Sequence, residues 1–283
     1  MDLATAKIVN VATVPLRSPF RYAGGKTWLV PQARLWLKSF DPCPRELIEP
    51  FAGGAVIGLT AGFEELAGHV TLVELDADVG AVWQVILGED GPRLAGSIVD
   101  FHMSLDNVKA ILGREPRSTF DRAFATVLKN RTYRGGILAP GASLIKHGEN
   151  GRGLKSRWYP LTLYRRTMEI VAIKDRFTFV PGNGLEVLRQ NEHREDAVYF
   201  IDPPYTVAGR RLYAHNEIDH TELFKIVGRL AGDFLMTYDD AREIRDLAAK
   251  HGFAVQEVAM KSTHHERKVE LLIGRDLSWA RAG

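Results

Sequence analysis

Residues 46–56 read ELIEPFAGGAV, and this stretch decides the fold. Its first four residues, Glu46–Glu49, read as a short strand, Pro50–Gly54 as a glycine-rich turn, and Ala55–Leu66 as a helix. A strand that passes through a tight turn into a helix opens a crossover unit of an α/β protein. Working outward, His69–Leu75 (HVTLVEL) reads as a buried strand and Val79–Leu87 as a helix. The rhythm returns later: strand at Phe177–Val180, helix at Leu185–Gln190, strand at Ala197–Ile201 (AVYFI), helix at His220–Leu230, strand at Phe234–Thr237, helix at Ala241–Lys250. Phe253–Val258 and Val269–Ile273 read as a closing pair of strands. Strands alternating with helices predict a mainly parallel sheet.

The middle of the chain breaks this alternation. Gly88 to Lys174 carries helical patterns and then a glycine-rich stretch, Gly135–Gly153, which reads as a hairpin. The expected organisation is a sheet domain made of residues 1–87 and 175–283, interrupted by a mostly helical insertion over 88–174. That insertion is basic: Lys129 to Arg166 holds nine Lys/Arg against one acid, Glu149, although the whole chain has a net charge of only +2. A basic block in an otherwise acidic chain predicts a polyanion-facing segment.

At 283 residues with 45% hydrophobic and 25% charged positions, the chain is globular rather than disordered. No apolar run is long enough to span a bilayer, and Met1–Asn10 lacks the apolar core of a secretory signal, so a cytoplasmic protein with no membrane partner is expected. The one cysteine, Cys43, can form no internal disulfide and offers no thiolate cluster, so no metal is expected.

Several stretches carry chemistry. The glycines of Glu49–Ala55 let backbone approach a ligand, and the following helix aims its first amides there. The G-x-G-x-x-G spacing of dinucleotide sites is absent, which disfavours a nicotinamide oxidoreductase. Glu74 closes the second strand, where an acid can accept both hydroxyls of a ribose, while Asp76 or Asp78 suits the start of the next helix. Asp202-Pro203-Pro204-Tyr205 directly follows the apolar strand AVYFI. Two prolines fix the backbone there. Asp202 and the Pro203 carbonyl can each accept one N–H of an exocyclic amine, and Tyr205 can stack on the base. Near the N-terminus, Gly24-Gly25-Lys26 suits an anionic group. Lys129, Asn130, Arg131, Tyr133 and Arg134, with Trp158, Tyr159 and Tyr164 beyond, interleave basic and aromatic residues, a pattern that suits phosphate contacts plus stacking or a small core.

In this order the stretches SPFRYAGGK, LIEPFAGGAV, LVELD, NRTYRGG, FIDPPY and KVELLI resemble the Dam-like (D12 class, alpha group) DNA adenine N6-methyltransferases over nearly the whole chain. The resemblance implies a Rossmann-like methyltransferase sheet with an inserted target-recognition domain, and S-adenosylmethionine as cofactor. It places Tyr22, Ala23, Gly24 and Lys26 beside the cofactor, Glu49, Pro50, Phe51, Gly53 and Gly54 around its methionine part, Glu74 on its ribose and Asn183 on its adenine side. It gives Asp202, Pro203, Pro204 and Tyr205 the catalytic turn, with Asp202 also at the cofactor. Lys129, Asn130, Arg131, Arg134 and Lys146 are the candidate contacts to double-stranded DNA. A monomer or weak dimer is expected. Two positions depart from the family: Asn183 stands where Asp is common, and Gly135–Ala139 replaces the Asn-Gly-Leu-Tyr-Arg of GATC-methylating relatives. Cytosine N4 or RNA adenine as acceptor, and a non-catalytic DNA-binding protein of the same fold, are the competing readings.

Overall fold

The structure is a computed structural model that describes residues 13–21, 25–138, 141–148, 151–204, 218–261 and 267–281. Tyr22, Ala23, Gly24, Tyr205 and Ala139 lie outside the described residues.

Seven strands form one sheet: β1 (Glu46–Glu49), β2 (His69–Glu74), β3 (Phe177–Pro181), β4 (Ala197–Ile201), β5 (Phe234–Asp239), β6 (Ala254–Lys261) and β7 (Arg267–Gly274). Their order is β3-β2-β1-β4-β5-β7-β6. The first five run parallel, and β7 enters antiparallel beside β5 with β6 outside it. This is a Rossmann-like α/β sheet. Its order reverses between β1 and β4, and in open α/β sheets ligands bind at that switch point, outside the carboxyl ends of the strands.

The residues alternate faithfully between two faces. Leu47, Val198, Phe200, Leu235 and Leu272 enter one core, while Ile48, Tyr199, Ile201, Met236, Leu271 and Ile273 enter the other. Both faces are apolar, which is why these strands read as continuous hydrophobic runs. Helices α8 (Gly184–Gln190), α9 (His220–Val227) and α10 (Arg242–His251) cover the second face. The first is covered by α1 (Val30–Lys38), α2 (Val56–Phe63), α3 (Ala77–Leu87), α4 (Gly91–Asp100), α5 (Leu105–Leu112), α6 (Thr119–Thr132) and α7 (Pro160–Val171). None of the described helices is long and apolar enough to cross a membrane.

The stretch 88–174 is helical, and among the described residues most of its buried apolar side chains join the core of the sheet. Leu94, Ile98, Val127, Leu128, Leu163 and Ile170 belong to the same apolar cluster as Leu47 and Val198 of the sheet. Asp78 of α3 also pairs with Arg122 of α6 at 2.9 Å. The expected hairpin at Gly135–Gly153 is different in form. Its described residues make a single antiparallel bridge, Tyr133 to Leu144, flanked by short 3-10 turns. Positive φ at Gly135, Gly136, Gly141, Gly148, Gly151 and Gly153 turns the chain too often for two strands to extend.

Candidate active site

The glycine turn after β1 is built by close approaches. Gly53 adopts φ 47° and Ala55 φ 48°, so the chain reverses in the left-handed region just before α2. Trp83 of α3 donates its indole N–H to the Gly53 carbonyl at 2.8 Å, and Ala52 donates to Val73 of β2 at 2.9 Å. The turn after β3 packs on it: a Cβ on Gly184 would lie 2.1 Å from the Pro50 carbonyl oxygen, so only glycine fits.

Glu49 sits at the end of β1, 3% exposed. Its Oε2 accepts the N–H of Gly58 at 2.8 Å. Gly58 is the third residue of α2, and Ala55 supplies no side-chain cap, so Glu49 caps this helix from a distance. Burial raises its pKa well above the carboxylate range, against the Gly58 N–H; the charges of Asp202 and Glu74 add to the rise and that of Lys26 opposes it. Glu49, which the resemblance places around the cofactor, thus has a structural task as well.

Glu74 ends β2 and is held from both sides. Oε2 accepts the Gly53 N–H and Oε1 the Asp76 N–H, each at 2.8 Å. Burial first, then the nearby Asp76 charge, push its pKa up to about 7 against these hydrogen bonds. Each oxygen keeps a second lone pair, which is what a vicinal diol requires. Asp76 caps α3 through Asp78 N and Val79 N, as the sequence suggested for one of these two acids. Asn183 caps α8: its Oδ1 accepts the Leu185 N–H at 2.9 Å.

Asp202 follows the buried β4, and Pro203 behind it is buried. Its Oδ1 accepts the Thr237 hydroxyl at 2.7 Å and pairs with the Lys26 ammonium at 2.9 Å. Lys26 is 4% exposed and opens a short 3-10 turn, Lys26–Leu29. Its Nζ also lies 3.8 Å from Oε2 of Glu270, itself 5% exposed on β7. Lys26, expected at the cofactor, therefore has its charge on the Asp202 carboxylate. Glu270 and Thr237 were not among the expected site residues. The available signal was one polar residue inside each of two otherwise apolar strands, VELLI and FLMTY. Beside them, Tyr238 shares a 2.8 Å hydrogen bond with His220 at the start of α9. Burial lowers the His220 pKa, so the ring favours its neutral form.

The glycine turn and the Asp202 corner thus leave the carboxyl ends of neighbouring strands, β1 and β4, which pair through Leu47–Val198 and Ile48–Tyr199. The candidate DNA contacts are less uniform. Arg134 and Lys146 are exposed, and Lys129 is half-buried with its ammonium 2.7 Å from the Leu138 carbonyl. Asn130 and Arg131 face inward instead. Asn130 is 1% exposed, accepts from Arg21 N and donates to the Arg21 and Gly136 carbonyls, while Arg131 donates to the Pro19 carbonyl. The end of α6 thereby pins the segment that leads into Lys26, because buried amide and guanidinium groups must be hydrogen-bonded.

No protein-family model matches the chain. Over 259 residues it is 26% identical to the DNA N-6-adenine-methyltransferase of Escherichia phage P1, an alignment that covers 85% of this chain and 32% of that protein. The chain thus spans about a third of the length of that curated relative. Solved structures similar to it include a candidate RNA methyltransferase from Pyrococcus horikoshii, with a TM-score of 0.41, 10% identity, 95% of this chain covered and 91% of that one. Precorrin-6y C5,15-methyltransferase from Geobacter metallireducens gives 0.36 and 12%, covering 90% and 91%. An rRNA methyltransferase of Streptomyces viridochromogenes gives 0.33 and 11%, covering 85% and 80%. At these scores the fold rests on the strand order alone.

Proposed function

We propose that this chain transfers a methyl group from S-adenosylmethionine to the exocyclic N6 amine of adenine in double-stranded DNA. The observation that carries the reading is the state of Asp202. One oxygen of its carboxylate is engaged by Lys26 and Thr237, and the other, Oδ2, takes no hydrogen bond among the described residues. The acid is held rigidly at the β1/β4 switch point with an acceptor to spare, and the proline behind it adds a carbonyl.

The residues present fit the cofactor. Glu74 offers two acceptors for a ribose diol, Ala55 at the start of α2 brings no side-chain cap of its own, and the Gly53 and Gly184 turns bring backbone close. Glu74, Gly53, Gly54 and Phe51 would hold it, with Asn183 at the far side. When bound, it supplies an electrophilic methyl group on a sulfonium.

The chain's own residues supply the rest. The adenine amine is a poor nucleophile because its lone pair is delocalised into the ring. When Asp202 Oδ2 and the Pro203 carbonyl each accept one of its N–H groups, the nitrogen becomes more pyramidal and the positive charge growing on it is stabilised. Lys26 and Thr237 orient the acid, and Lys26 also lies 3.8 Å from Glu270. The transfer is direct, and the proton leaves the nitrogen afterwards. Paired adenine buries N6 in the duplex, so the base must be extruded first.

The similarity to the phage P1 adenine methyltransferase supports the acceptor assignment. Incubation with labelled S-adenosylmethionine and unmodified DNA, followed by digestion to nucleosides, tests it. N6-methyladenine is the expected product, and N4-methylcytosine or label in RNA alone overturns the acceptor.

A further inference from the structure

A cavity of about 510 Å³ opens on the other side of the Lys26 turn. Gly25 and Thr27, which flank Lys26, form part of its wall, as does Val56 at the start of α2. Four arginines from three segments line it: Arg17 and Arg21 before the turn, Arg131 on α6 and Arg166 on α7. Among the described residues the lining contains no acid.

The arginines are not equally satisfied. Arg17 has a carboxylate elsewhere, Glu64 at 2.8 Å. Arg166 donates to the Ser18 carbonyl at 3.1 Å and has no ion pair among the described residues. Arg131 is 4% exposed, uses one Nη on the Pro19 carbonyl, and leaves its buried Nε without an acceptor. Burial, and then the charges of Arg166, Arg21 and Arg157, pull the Arg131 pKa down to about 9. A desolvated guanidinium surrounded by like charges is costly, and the cost falls when an anion enters. Guanidinium groups reaching from several directions match a tetrahedral group with oxygens on every side. At the rim, Tyr159 is 44% exposed and Leu16 59% exposed, an apolar shelf where a sugar or base can lie.

We propose that this cavity seats a phosphate group of the polynucleotide that carries the methyl acceptor, and so holds the strand beside the Asp202 corner. This rests on DNA as the acceptor.

The test uses the full chain with Arg166→Gln and Arg166→Lys, each checked for folding by its thermal midpoint. Binding of a fluorescent unmodified duplex is followed by anisotropy across a salt series, and binding of S-adenosylmethionine by calorimetry. Arg166→Gln is expected to weaken duplex binding about tenfold at moderate salt, the loss of one charge-assisted hydrogen bond. The slope of log K against log salt should fall by about one. Arg166→Lys should recover part of both, and S-adenosylmethionine binding should not move. Unchanged duplex affinity and slope in a folded Arg166→Gln overturn the proposal, as does a loss confined to S-adenosylmethionine, which would make the cavity the seat of the methionine carboxylate. Inorganic phosphate supplies the second arm. If it raises the thermal midpoint of the parent but not of Arg166→Gln, while duplex affinity is equal in both, the occupant is a small phosphate compound and the strand assignment falls. Methyl transfer, followed separately, does not decide the cavity and serves only to tell its failure from that of the proposed reaction. An Arg166-dependent duplex complex without transfer sinks the proposed reaction and keeps the cavity; transfer with Arg166-independent binding does the reverse.

Discussion

The Asp202 corner and the arginine cavity lie on two sides of one short turn, Lys26–Leu29, and handle charge in opposite ways. At the corner two acids, Asp202 and Glu270, share one buried ammonium, and a hydroxyl completes the set. In the cavity Arg17 keeps its own carboxylate in Glu64, whereas Arg131 and Arg166 have no ion pair among the described residues, and the buried Arg131 Nε stays unmatched. Buried charges usually occur in compensated groups. A compensated cluster holds one side chain still; an uncompensated one has affinity in reserve. The first arrangement suits a group that must be aimed, and the second a group that must be supplied from outside.

Breaking the corner should give the largest effects. Asp202→Ala removes the amine acceptor, and methyl transfer should fall by about 10²–10³-fold or more while S-adenosylmethionine still binds. Single-turnover transfer alongside calorimetry checks this, and undiminished transfer would remove Asp202 from the reaction. Lys26→Met leaves the buried Glu270 and the partly buried Asp202 without this cation, and urea unfolding should show a loss of about 3–5 kcal/mol. Adding Glu270→Gln to that variant should return part of the loss, because one of the two stranded charges disappears; a double variant no better than the single would mean the pairing matters little.

A smaller effect concerns α2, whose first residue Val56 lines the cavity. A Cβ on Gly58 would lie 2.5 Å from Glu49 Oε2 and 2.7 Å from Leu72 Cδ2. Gly58→Ala should therefore cost about 1–3 kcal/mol through overpacking, read as a lower urea midpoint with an unchanged slope. Glu74 adds a pH dependence. Its folded pKa of about 7 exceeds the ordinary 4.5, so between these values the folded protein holds the extra proton. Its contribution to stability is present at low pH and is lost as pH rises through that window, by at most about 1.4 kcal/mol per pH unit. Thermal midpoints of Glu74→Gln between pH 4.5 and 7.5 should show a shallower decline than the parent. S-adenosylmethionine affinity of the parent should rise over the same range, as the diol acceptor ionises.

The smallest effects should come from the exposed cations. Arg134→Ala and Lys146→Ala should change stability by no more than about 0.5 kcal/mol, yet each that touches a phosphate should lower the salt slope of duplex binding by about one. A variant that leaves the slope untouched takes that residue out of the interface.

The sheet was legible because each strand carries its own apolar run and its own turn residues. Those signals are local, and the strands start and stop within a residue or two of where the sequence suggested, except β6, which runs three residues past the expected Val258 to Lys261. Glu74 was legible for the same reason, since an acid closing a strand points to the carboxyl edge. Direction of burial was not. Asn130 and Arg131 look like their neighbours Lys129 and Arg134, yet their partners sit at residues 19 and 21, over a hundred positions away. A charged residue within a basic block carries no local mark of whether it faces solvent or the core. Glu270 was missed because its partner, Lys26, comes from the opposite end of the described chain. Residues 88–174 looked like a separate unit because their rhythm changes, whereas the core they fill is the sheet's own.

The pairing of Lys26 with both Asp202 and Glu270 has a consequence for synthesis on the ribosome. A nascent polypeptide already holds the glycine bend and the proline corner well before β7 has emerged. Until that strand inserts beside β5, the ammonium lacks the Glu270 carboxylate. Full electrostatic order at the corner therefore arrives only with completion of the sheet, and any chemistry that depends on an aimed Asp202 waits for β7.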